Sequence, residues 1–157
     1  MPTTAEYDLV FLNIAKEIAS LSKCVSHQVG CVVVKDGRIL STGYNGTPAG
    51  YKNCNELFNS HLVKNNIRSR EEHHMWSNLH EIHSELNAVS YAAKHGIALN
   101  GATMYCTLEP CANCAKTIIQ AGIVRVVFGK FYDKSTGFDK TQTFYSDCGV
   151  DIQHVPC

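Results

Sequence analysis

The alternation of helical and strand-like segments after residue 81 is the feature that most constrains the fold of this chain. Apolar residues there recur at helical spacing, then in short continuous runs, and the change repeats to the last residues. The predicted segments are a helix over 81–95, a strand over 103–107, a helix over 110–121, a strand over 124–129, a helix over 138–146 and a strand over 150–153. Because strands separated by a helix need a crossover connection, these strands are expected to run parallel.

The first part of the chain predicts an antiparallel pair instead. Residues 5–23 carry apolar side chains at helical spacing, and two strand-like runs follow at 29–34 and 38–44. Lys35, Asp36 and Gly37 join these runs, and Asp-Gly is a strong hairpin signal. The whole pattern predicts an α/β protein with three α-β-α layers, in which a five-stranded mixed sheet has an N-terminal antiparallel hairpin and helices on both faces.

The segment from Asn45 to about Leu79 breaks this pattern. Glycine, asparagine, proline, charged residues and histidine replace the periodic apolar side chains there. A connection of this length inside a compact domain is usually functional. With 157 residues, of which 45% are hydrophobic, the chain has the size of one domain. Residues 1–157 are therefore interpreted as a single domain with a long functional loop over about 45–80.

Charge and hydropathy disfavour some classes of partner. Lys plus Arg number 14 and Asp plus Glu number 14, so no general positive field would hold the chain on a phosphate polymer. No apolar run is long enough to span a membrane, and residues 1–7 lack the layout of a secretion signal. The expectation is a cytoplasmic protein with neither a nucleic-acid nor a membrane partner.

Two short motifs open helices predicted in the second half of the chain: H-x-E at residues 83–85 and P-C-x-x-C at residues 110–114. Cysteines three apart at a helix start lie on one face and can bind one ion, and the helix dipole favours their thiolates. The chain has eight cysteines, but without an export signal metal binding is favoured over disulfides. Cys31 and Cys106 lie in apolar runs and are interpreted as core thiols.

A metal held by His83, Cys111 and Cys114 would have three protein ligands, which leaves the fourth tetrahedral position of Zn²⁺ for water. Such an open site is catalytic, because zinc lowers the pKa of bound water toward neutrality. Glu85 is close enough in sequence to carry the proton. Alone, C-x-x-C is as often a structural or redox motif. Both motifs in this order, with 28 positions from the histidine to the first cysteine, match the signature of zinc deaminases.

Residues 83–88 (HSELNA) and 107–116 (TLEPCANCAK) resemble the two zinc motifs of the cytidine deaminase-like superfamily. Residues 43–48 (GYNGTP) make the chain most similar to the phage-type deoxycytidylate (dCMP) deaminases. The resemblance implies the cytidine deaminase-like fold and an allosteric hydrolase that converts dCMP to dUMP and ammonia, which supplies dUMP for dTMP synthesis. Ser84 replaces the alanine common in the family, and little consequence is expected because this position is expected to act through its backbone.

The same resemblance implies substrate contacts. Asn45 would hydrogen-bond the deoxyribose or the base, Ser84 would act through its backbone, and Tyr132 would cover the pyrimidine or reach the phosphate. Alternatives stay open, because Asn45 could serve only the Asn-Gly turn and Tyr132 only the edge of the core. The cation that binds the phosphate is also open, and the candidates are Lys116, Arg125 and Lys134.

Some phage-type members carry a second, structural zinc, and four residues here are placed similarly: Cys24, Cys54, His73 and Glu81. Four protein ligands would close such a site to water, so this zinc would staple the long loop rather than catalyse. The alternative is a solvated histidine-rich loop near two core cysteines.

Family members of this type are homohexamers that dCTP activates and dTTP inhibits, with Mg²⁺ accompanying the triphosphate. The resemblance implies the same assembly and effectors for this chain. The residues similar to the effector region are Gly43, Tyr44, Gly46, Tyr91 and Lys94. The segment over 43–48 could equally be only a turn.

Rival functions share parts of this pattern. tRNA adenosine deaminases use the same two motifs, but they act on a base in a polymer and are expected to carry basic tracts. Nucleoside cytidine deaminases usually have cysteine in place of His83, and riboflavin-pathway deaminases have a longer gap between their cysteines. A non-enzymatic zinc-stabilised nucleotide sensor would have no use for Glu85 beside an open metal position.

Overall fold

The computed structural model of the protein describes residues 1–132 and 138–157. Its helices are α1 Thr4–Ala19, α2 Cys54–Leu57, α3 Ser60–Asn65, α4 Ile67–His80, α5 Ser84–His95, α6 Ala112–Gln120 and α7 Phe138–Asp147. Its strands are β1 Gly30–Lys35, β2 Arg38–Tyr44, β3 Thr103–Leu108, β4 Arg125–Lys130 and β5 Asp151–His154. Within these two ranges, no helix has both the length and the apolar character needed to cross a membrane.

The strands form one sheet in the order β2-β1-β3-β4-β5. Strand β1 is antiparallel to both β2 and β3, whereas β3, β4 and β5 are parallel neighbours. The predicted mixed sheet with an N-terminal antiparallel hairpin is therefore confirmed. The hairpin turn has positive φ at Asp36 (51°) and at Gly37 (71°). A two-residue type I′ turn requires this conformation, and the Asp-Gly pair tolerates it.

Alternation along the strands divides the core into two layers. Cys31 and Val33 of β1 pack with α5, α6 and α7, whereas Val32 and Val34 pack with α1 on the other face. The predicted three-layer arrangement with helices on both faces is confirmed. Cys31 lies opposite Cys106 in the register of β1 with β3, and both are fully buried core thiols, as predicted.

A buried ion pair fixes helix α1 to the sheet. Asp8 accepts two hydrogen bonds of 2.7 Å from Arg125 on β4 and one of 2.8 Å from the Tyr105 hydroxyl on β3. Burial favours the neutral carboxyl, but these hydrogen bonds outweigh it and hold the pKa of Asp8 below its usual value. The pair links the outer helix layer to two strands of the sheet.

The prediction of an irregular loop over about 45–80 is wrong for much of that segment, because residues 54–80 contain α2, α3 and α4. These helices carry no continuous apolar stripe, and α4 buries only His73, so hydrophobic periodicity does not reveal them. Their starts are nevertheless encoded. The side chains of Asn59 and Asn66 accept hydrogen bonds from backbone N–H groups in the first turns of α3 and α4.

Helix α5 begins three residues later than predicted, at Ser84 rather than at Glu81. Ile82 and Gly46 exchange two backbone hydrogen bonds, of 3.1 and 2.8 Å. This bridge accompanies an extended backbone at Glu81 and at His83, which is the N-cap of α5. The side chains of Glu81 and His83 are therefore presented from an extended segment rather than from one helix face.

Candidate active site and metal centres

Two helix starts supply a first group of candidate metal ligands. His83 is the N-cap of α5, Cys111 is the N-cap of α6, and Cys114 lies in the first turn of α6. Sγ of Cys111 is 3.5 Å, and Sγ of Cys114 is 3.3 Å, from Nδ1 of His83. The three donor atoms all lie within 4.8 Å of one another. The fold thus brings together the three residues predicted to bind a catalytic zinc.

The spacing and burial of this first group fit a zinc ion with one open position. Zinc bonds of about 2.0–2.3 Å to nitrogen and sulfur in a tetrahedron would separate neighbouring donors by about 3.5 Å. Cys114 is buried, Cys111 is half-buried and His83 is exposed, so the group is closed on one side only. The residues present therefore fit a catalytic rather than a purely structural zinc.

The two thiols of this group have opposite pKa shifts. A hydrogen bond with Cys114 is the main reason that the pKa of Cys111 falls to about 4, and His83 contributes further. The same contact raises the pKa of Cys114, and burial adds to the rise. Cys111 therefore carries a negative charge at neutral pH, and the group already contains a thiolate that can bind a cation.

Glu85 lies in the first turn of α5, two residues after His83, and is only 4% exposed. Burial raises the pKa of Glu85, and its own backbone and the charge of His83 oppose this rise only in part. A carboxylate whose pKa is raised is a stronger base than an exposed one, which suits it to take a proton from water. The predicted proton carrier is thus close to the candidate zinc ligands.

A second group of donors consists of the four residues predicted to hold a structural zinc: Cys24, Cys54, His73 and Glu81. Nε2 of His73 is 3.3 Å from Sγ of Cys54 and 3.8 Å from Sγ of Cys24. Sγ of Cys24 is 3.4 Å from Oε2 of Glu81. The four donor atoms lie within 4.8 Å of one another; the first three residues are buried and Glu81 is half-buried.

The chemistry of the second group also fits a cation. Among the described residues, Oε1 of Glu81 is buried without a hydrogen-bond partner, which leaves an oxygen available to a metal. Burial lowers the pKa of His73, so its imidazole is neutral. A hydrogen bond from Cys54 lowers the pKa of Cys24. The same hydrogen bond, together with burial, raises the pKa of Cys54, so a bound zinc would displace the proton of this thiol. Four protein ligands would leave no open position on the metal.

Aromatic contacts pack the chain around the second group. The Phe58 ring lies 5.1 Å from that of His73 and 5.2 Å from that of Trp76, measured between centroids. Trp76 stacks on His80 at 4.9 Å, and His80 stacks on Tyr51 at 5.3 Å. His73 therefore lies in a packed environment and not in the solvated loop that was the alternative expectation.

A cavity of about 330 Å³ lies between the two donor groups. This volume is within the range of small-molecule sites. Its lining residues are Cys24, Ser26, His27, Val29, Asn45, Arg70, His73, His74, Ser77, Asn78, Glu81, His83, Ser84, Glu85, Leu108, Glu109, Cys111 and Tyr132. Both donor groups and Glu85 therefore border the same space.

The three predicted substrate-contacting residues, Asn45, Ser84 and Tyr132, all line this cavity. The Asn45 side chain also braces a neighbouring loop, because Oδ1 accepts a hydrogen bond from Val29 N–H and Nδ2 donates one to the His27 carbonyl, both of 2.8 Å. Oγ of Ser84 is buried without a partner among the described residues, and Tyr132 is half exposed. Asn45 thus has a structural function that does not depend on any ligand.

Several cavity residues are absent from the sequence-based candidates. Oε2 of Glu109 is buried without a partner in the described part of the chain, and burial raises the pKa of this carboxyl. Glu109 directly precedes the P-C-x-x-C motif, and this adjacency is a signal that could have revealed it. The other missed residues include three from α4, which only a helical assignment of that segment could reveal: Arg70, Ser77 and Asn78.

Two of the predicted phosphate-binding candidates do not line the cavity. Arg125 is wrong as a candidate, because its guanidinium is bound to Asp8 on the α1 side of the sheet, opposite Cys114. Lys116 is exposed on α6 and is not a lining residue. The third candidate, Lys134, lies outside the described residues.

The predicted effector residues lie on or next to β2 and α5, and none of them lines the cavity. Gly43 is buried where β2 meets α5, and a Cβ atom there would clash with the carbonyl oxygen of Ser84. Close packing therefore requires glycine at this position, and Gly46 forms the backbone bridge. The exposed members of the set are Tyr44, Tyr91 and Lys94.

Comparison with known proteins gives matches over most of the chain. The family model of the cytidine and deoxycytidylate deaminase zinc-binding region matches residues 5–130. The deoxycytidylate deaminase of Enterobacteria phage T2 is 39% identical, over 92% of this chain and 90% of its own length. That of Enterobacteria phage T4 is also 39% identical, over 92% and 88%. The chain also resembles dCMP deaminase from the cyanophage S-TIM5 in its crystal structure in complex with dCMP and dUMP. The two sequences are 30% identical, and the structures superpose with a TM-score of 0.77 over 98% of this chain and 100% of that one.

Proposed function

Because the chain belongs to the cytidine and deoxycytidylate deaminase family, we propose that it catalyses the hydrolytic deamination of dCMP to dUMP and ammonia. The observation that carries this proposal is the likeness over 98% of the chain to a dCMP deaminase whose crystal structure contains dCMP and dUMP. A cavity bordered by candidate zinc ligands and a buried carboxyl supports it. The reaction would supply dUMP for dTMP synthesis.

In this proposal, His83, Cys111 and Cys114 hold the catalytic zinc. When bound, zinc supplies Lewis-acid activation of water at neutral pH. The pKa of Cys111, about 4, supports metal binding at neutral pH because this thiol is already ionised. The exposure of His83 keeps one side of the group open toward the cavity.

Glu85 is the proposed catalytic residue. Its carboxylate takes one proton from the attacking water and passes it to the ring nitrogen of the pyrimidine. It then takes the second proton from the hydroxyl group of the resulting adduct and gives it to the leaving amine, so that the C–N bond breaks, the carbonyl forms and ammonia is released. The raised pKa of Glu85 supports this cycle, because burial makes its carboxylate a stronger base than an exposed one. Burial also separates the carboxyl from bulk water.

Asn45, Ser84 and Tyr132 are the proposed substrate contacts. After bracing the loop, Asn45 keeps one Nδ2 proton and one Oδ1 lone pair that can bind the deoxyribose or the base. Ser84 would act through its backbone at the start of α5. The half-exposed ring of Tyr132 supports a role as a cover over the pyrimidine.

A second, structural zinc is proposed at Cys24, Cys54, His73 and Glu81. The ligands come from the connection after α1, from α2, from α4 and from the residue after α4. Such a zinc would fix the segment between β2 and α5 to the rest of the protein. Metal analysis of purified protein would then find two zinc ions per chain, whereas one ion per chain would contradict this second site.

A homohexamer activated by dCTP and inhibited by dTTP, with Mg²⁺ accompanying the triphosphate, is proposed from the family resemblance. The proposed effector residues are Gly43, Tyr44, Gly46, Tyr91 and Lys94. The exposed rings of Tyr44 and Tyr91 support contact with a ligand or a neighbouring subunit. Saturating dCTP should change the shape or the midpoint of the rate curve for dCMP, and a curve unchanged in both would reject this control.

Ammonia release tests the proposed function directly. Zinc-loaded protein is offered dCMP, deoxycytidine, dCTP and a tRNA anticodon stem in parallel, with and without dCTP as effector. We expect turnover of dCMP at a higher kcat/KM than of the other three. Preferential turnover of the RNA would instead indicate an editing deaminase. Zinc-bound protein that turns over none of them would support a nucleotide sensor.

A further inference from the structure

Charge is unevenly distributed along the lining of the cavity. The carboxyl groups of Glu81, Glu85 and Glu109 border it near the donor groups. Among the lining residues that the structure describes, Arg70 is the one with a permanent positive charge. A ligand with an anionic end would therefore be bound with that end toward α4.

Arg70 belongs to a polar stripe along α4. Arg70, His74 and Asn78 follow one another at four-residue spacing, so they share one face of the helix, and all three line the cavity. The eight positions from Asn78 to Arg70 correspond to about 12 Å of helix. Helix α4 ends just before Glu81 and His83. Arg70 is therefore the member of the stripe that lies farthest from the first donor group.

The guanidinium of Arg70 is partly immobilised before any ligand binds. Nη2 donates a hydrogen bond of 2.7 Å to the Lys64 carbonyl, and Nε donates one of 3.4 Å to the Val63 carbonyl. These bonds fix the plane of the group and leave Nη1 and the second N–H of Nη2 to donate to a ligand. An arginine held in this way loses less side-chain entropy on binding an anion than a free one.

A neighbouring face of α4 is held as well. His73 is next to His74 in sequence but is buried in the second donor group, 3.3 Å from Sγ of Cys54. His74 is exposed and contacts Asn78, with 3.3 Å between Nε2 and Nδ2. The helix therefore presents His74 and Arg70 to the cavity from a position that the second group fixes.

We propose that Arg70, with His74 as a second donor, binds the 5′-phosphate of the substrate and makes the protein select a nucleoside monophosphate over the nucleoside. This inference rests on the proposed function, which puts the base beside His83 and Glu85. The phosphate then lies farther along α4, where a bidentate guanidinium is the preferred partner of a phosphate dianion. Arg70 and His74 are specificity residues, because they contact the part of the substrate that does not react.

The test compares R70Q and H74Q with R68Q, a matched control. Arg68 lies on the same helix, pairs with the exposed Glu72 and does not line the cavity. The ratio of kcat/KM for dCMP to that for deoxycytidine should fall about ten- to a hundredfold in R70Q and about threefold or more in H74Q, and should not change in R68Q. Calorimetric binding of dUMP should weaken by a similar factor in R70Q, while that of deoxyuridine should not change.

The results for R70Q and H74Q decide whether Arg70 and His74 bind the phosphate. An R70Q protein that keeps both the kcat/KM ratio and the affinity for dUMP would overturn it. If R70Q loses zinc or melts early, because α3 has lost its contacts with Arg70, H74Q decides, since His74 does not bond to those carbonyls. A wild-type protein that turns over neither substrate would refute the proposed function instead. The comparison of dUMP with deoxyuridine binding would still test the phosphate contact.

Discussion

Two buried carboxyl groups in one cavity show how much the function depends on single residues. Burial raises the pKa of both Glu85 and Glu109. Only Glu85 lies two residues from His83, on the helix that this candidate ligand caps. Oε2 of Glu109 has no partner within the described residues and can accept a hydrogen bond from a ligand. Glu85 and Glu109 are both buried, but only Glu85 is placed beside the candidate zinc ligands to carry a proton, whereas Glu109 is placed to bind a ligand.

At this scale we predict that Glu85→Gln keeps its fold and its zinc but loses turnover of dCMP by about a hundredfold or more, because only the proton carrier is removed. The measurements are kcat with dCMP, zinc per chain and the melting temperature. Glu17→Gln, on the exposed side of α1, is the control and should behave as wild type. Turnover of Glu85→Gln near the wild-type rate would remove Glu85 from the mechanism.

Among the elements, α2, α3 and α4 are the least expected from sequence and the most consequential for the cavity. They supply His73 to the second donor group and Arg70, His74 and Asn78 to the cavity lining. Their contacts with the sheet are few, and their packing depends on aromatic rings and on polar donors rather than on an apolar stripe. The cavity wall on this side thus depends on the second donor group.

For this element we predict that Cys54→Ala lowers the zinc content by one ion per chain and lowers the melting temperature by at least about 5 °C, or roughly 2 kcal/mol for a chain of this size. The loss of one buried sulfur ligand opens the second group. Cys157→Ser is a matched control at an exposed thiol. Equal zinc content in wild type and Cys54→Ala would contradict the second site.

The contact between β2 and α5 leads to a separate prediction. In Gly43→Ala, the new methyl group would meet the Ser84 carbonyl and the Ala88 N–H, which cannot move without shifting α5. We expect a loss of at least about 3 kcal/mol in the free energy of unfolding, measured with urea. The rate of dCMP deamination, measured without any effector, should fall as well, because α5 carries Glu85.

Gly46→Ala is the matched control for this contact. A Cβ atom at Gly46 would meet only the Tyr44 ring, at 3.8 Å, which is an ordinary contact. This variant should keep nearly wild-type stability. A Gly43→Ala protein that is stable and active but insensitive to dCTP would instead support a direct effector role for this glycine.

At the scale of the whole molecule, a buried polar contact joins the α1 layer to the sheet. The ion pair between Asp8 and Arg125 connects α1 to β4 and is nearly buried, whereas the contact of Arg125 with Asp151 is 3.7 Å long and involves an exposed carboxylate. Breaking a buried pair leaves an unpaired charge, which costs about 3 kcal/mol or more, while exposed pairs contribute little. Beside the apolar packing of α1, the polar link between this helix and the sheet thus depends on one carboxylate.

This link gives a prediction for pH. Because the pKa of Asp8 is lower in the folded protein than its unfolded value of about 3.9, its contribution is fully present above that pH and is lost as the pH falls through the folded pKa. Urea unfolding of wild type and Asp8→Asn should therefore differ by about 3 kcal/mol at pH 7, and the difference should shrink at low pH. Asp151→Asn should differ little from wild type at pH 7. A difference for Asp8→Asn that does not vary with pH would contradict the assignment.

The sequence by itself determined the alternation of strands and helices, the hairpin at Asp36-Gly37 and the two motifs that open α5 and α6. These features are encoded over short distances along the chain, in apolar periodicity, turn chemistry and fixed residue spacings. The same local signals placed the start of α5 too early, because the bridge between Gly46 and Ile82 joins residues that are far apart in sequence.

Only the tertiary structure decided which residues share the cavity. Arg125 had been a phosphate candidate, but the fold pairs it with Asp8 on the other side of the sheet. Arg70, by contrast, reaches the cavity without any motif of its own. Local spacing carries no information about contacts across tens of residues. Those contacts, and with them the burial and pKa of each group, arise only when the helices pack on the sheet.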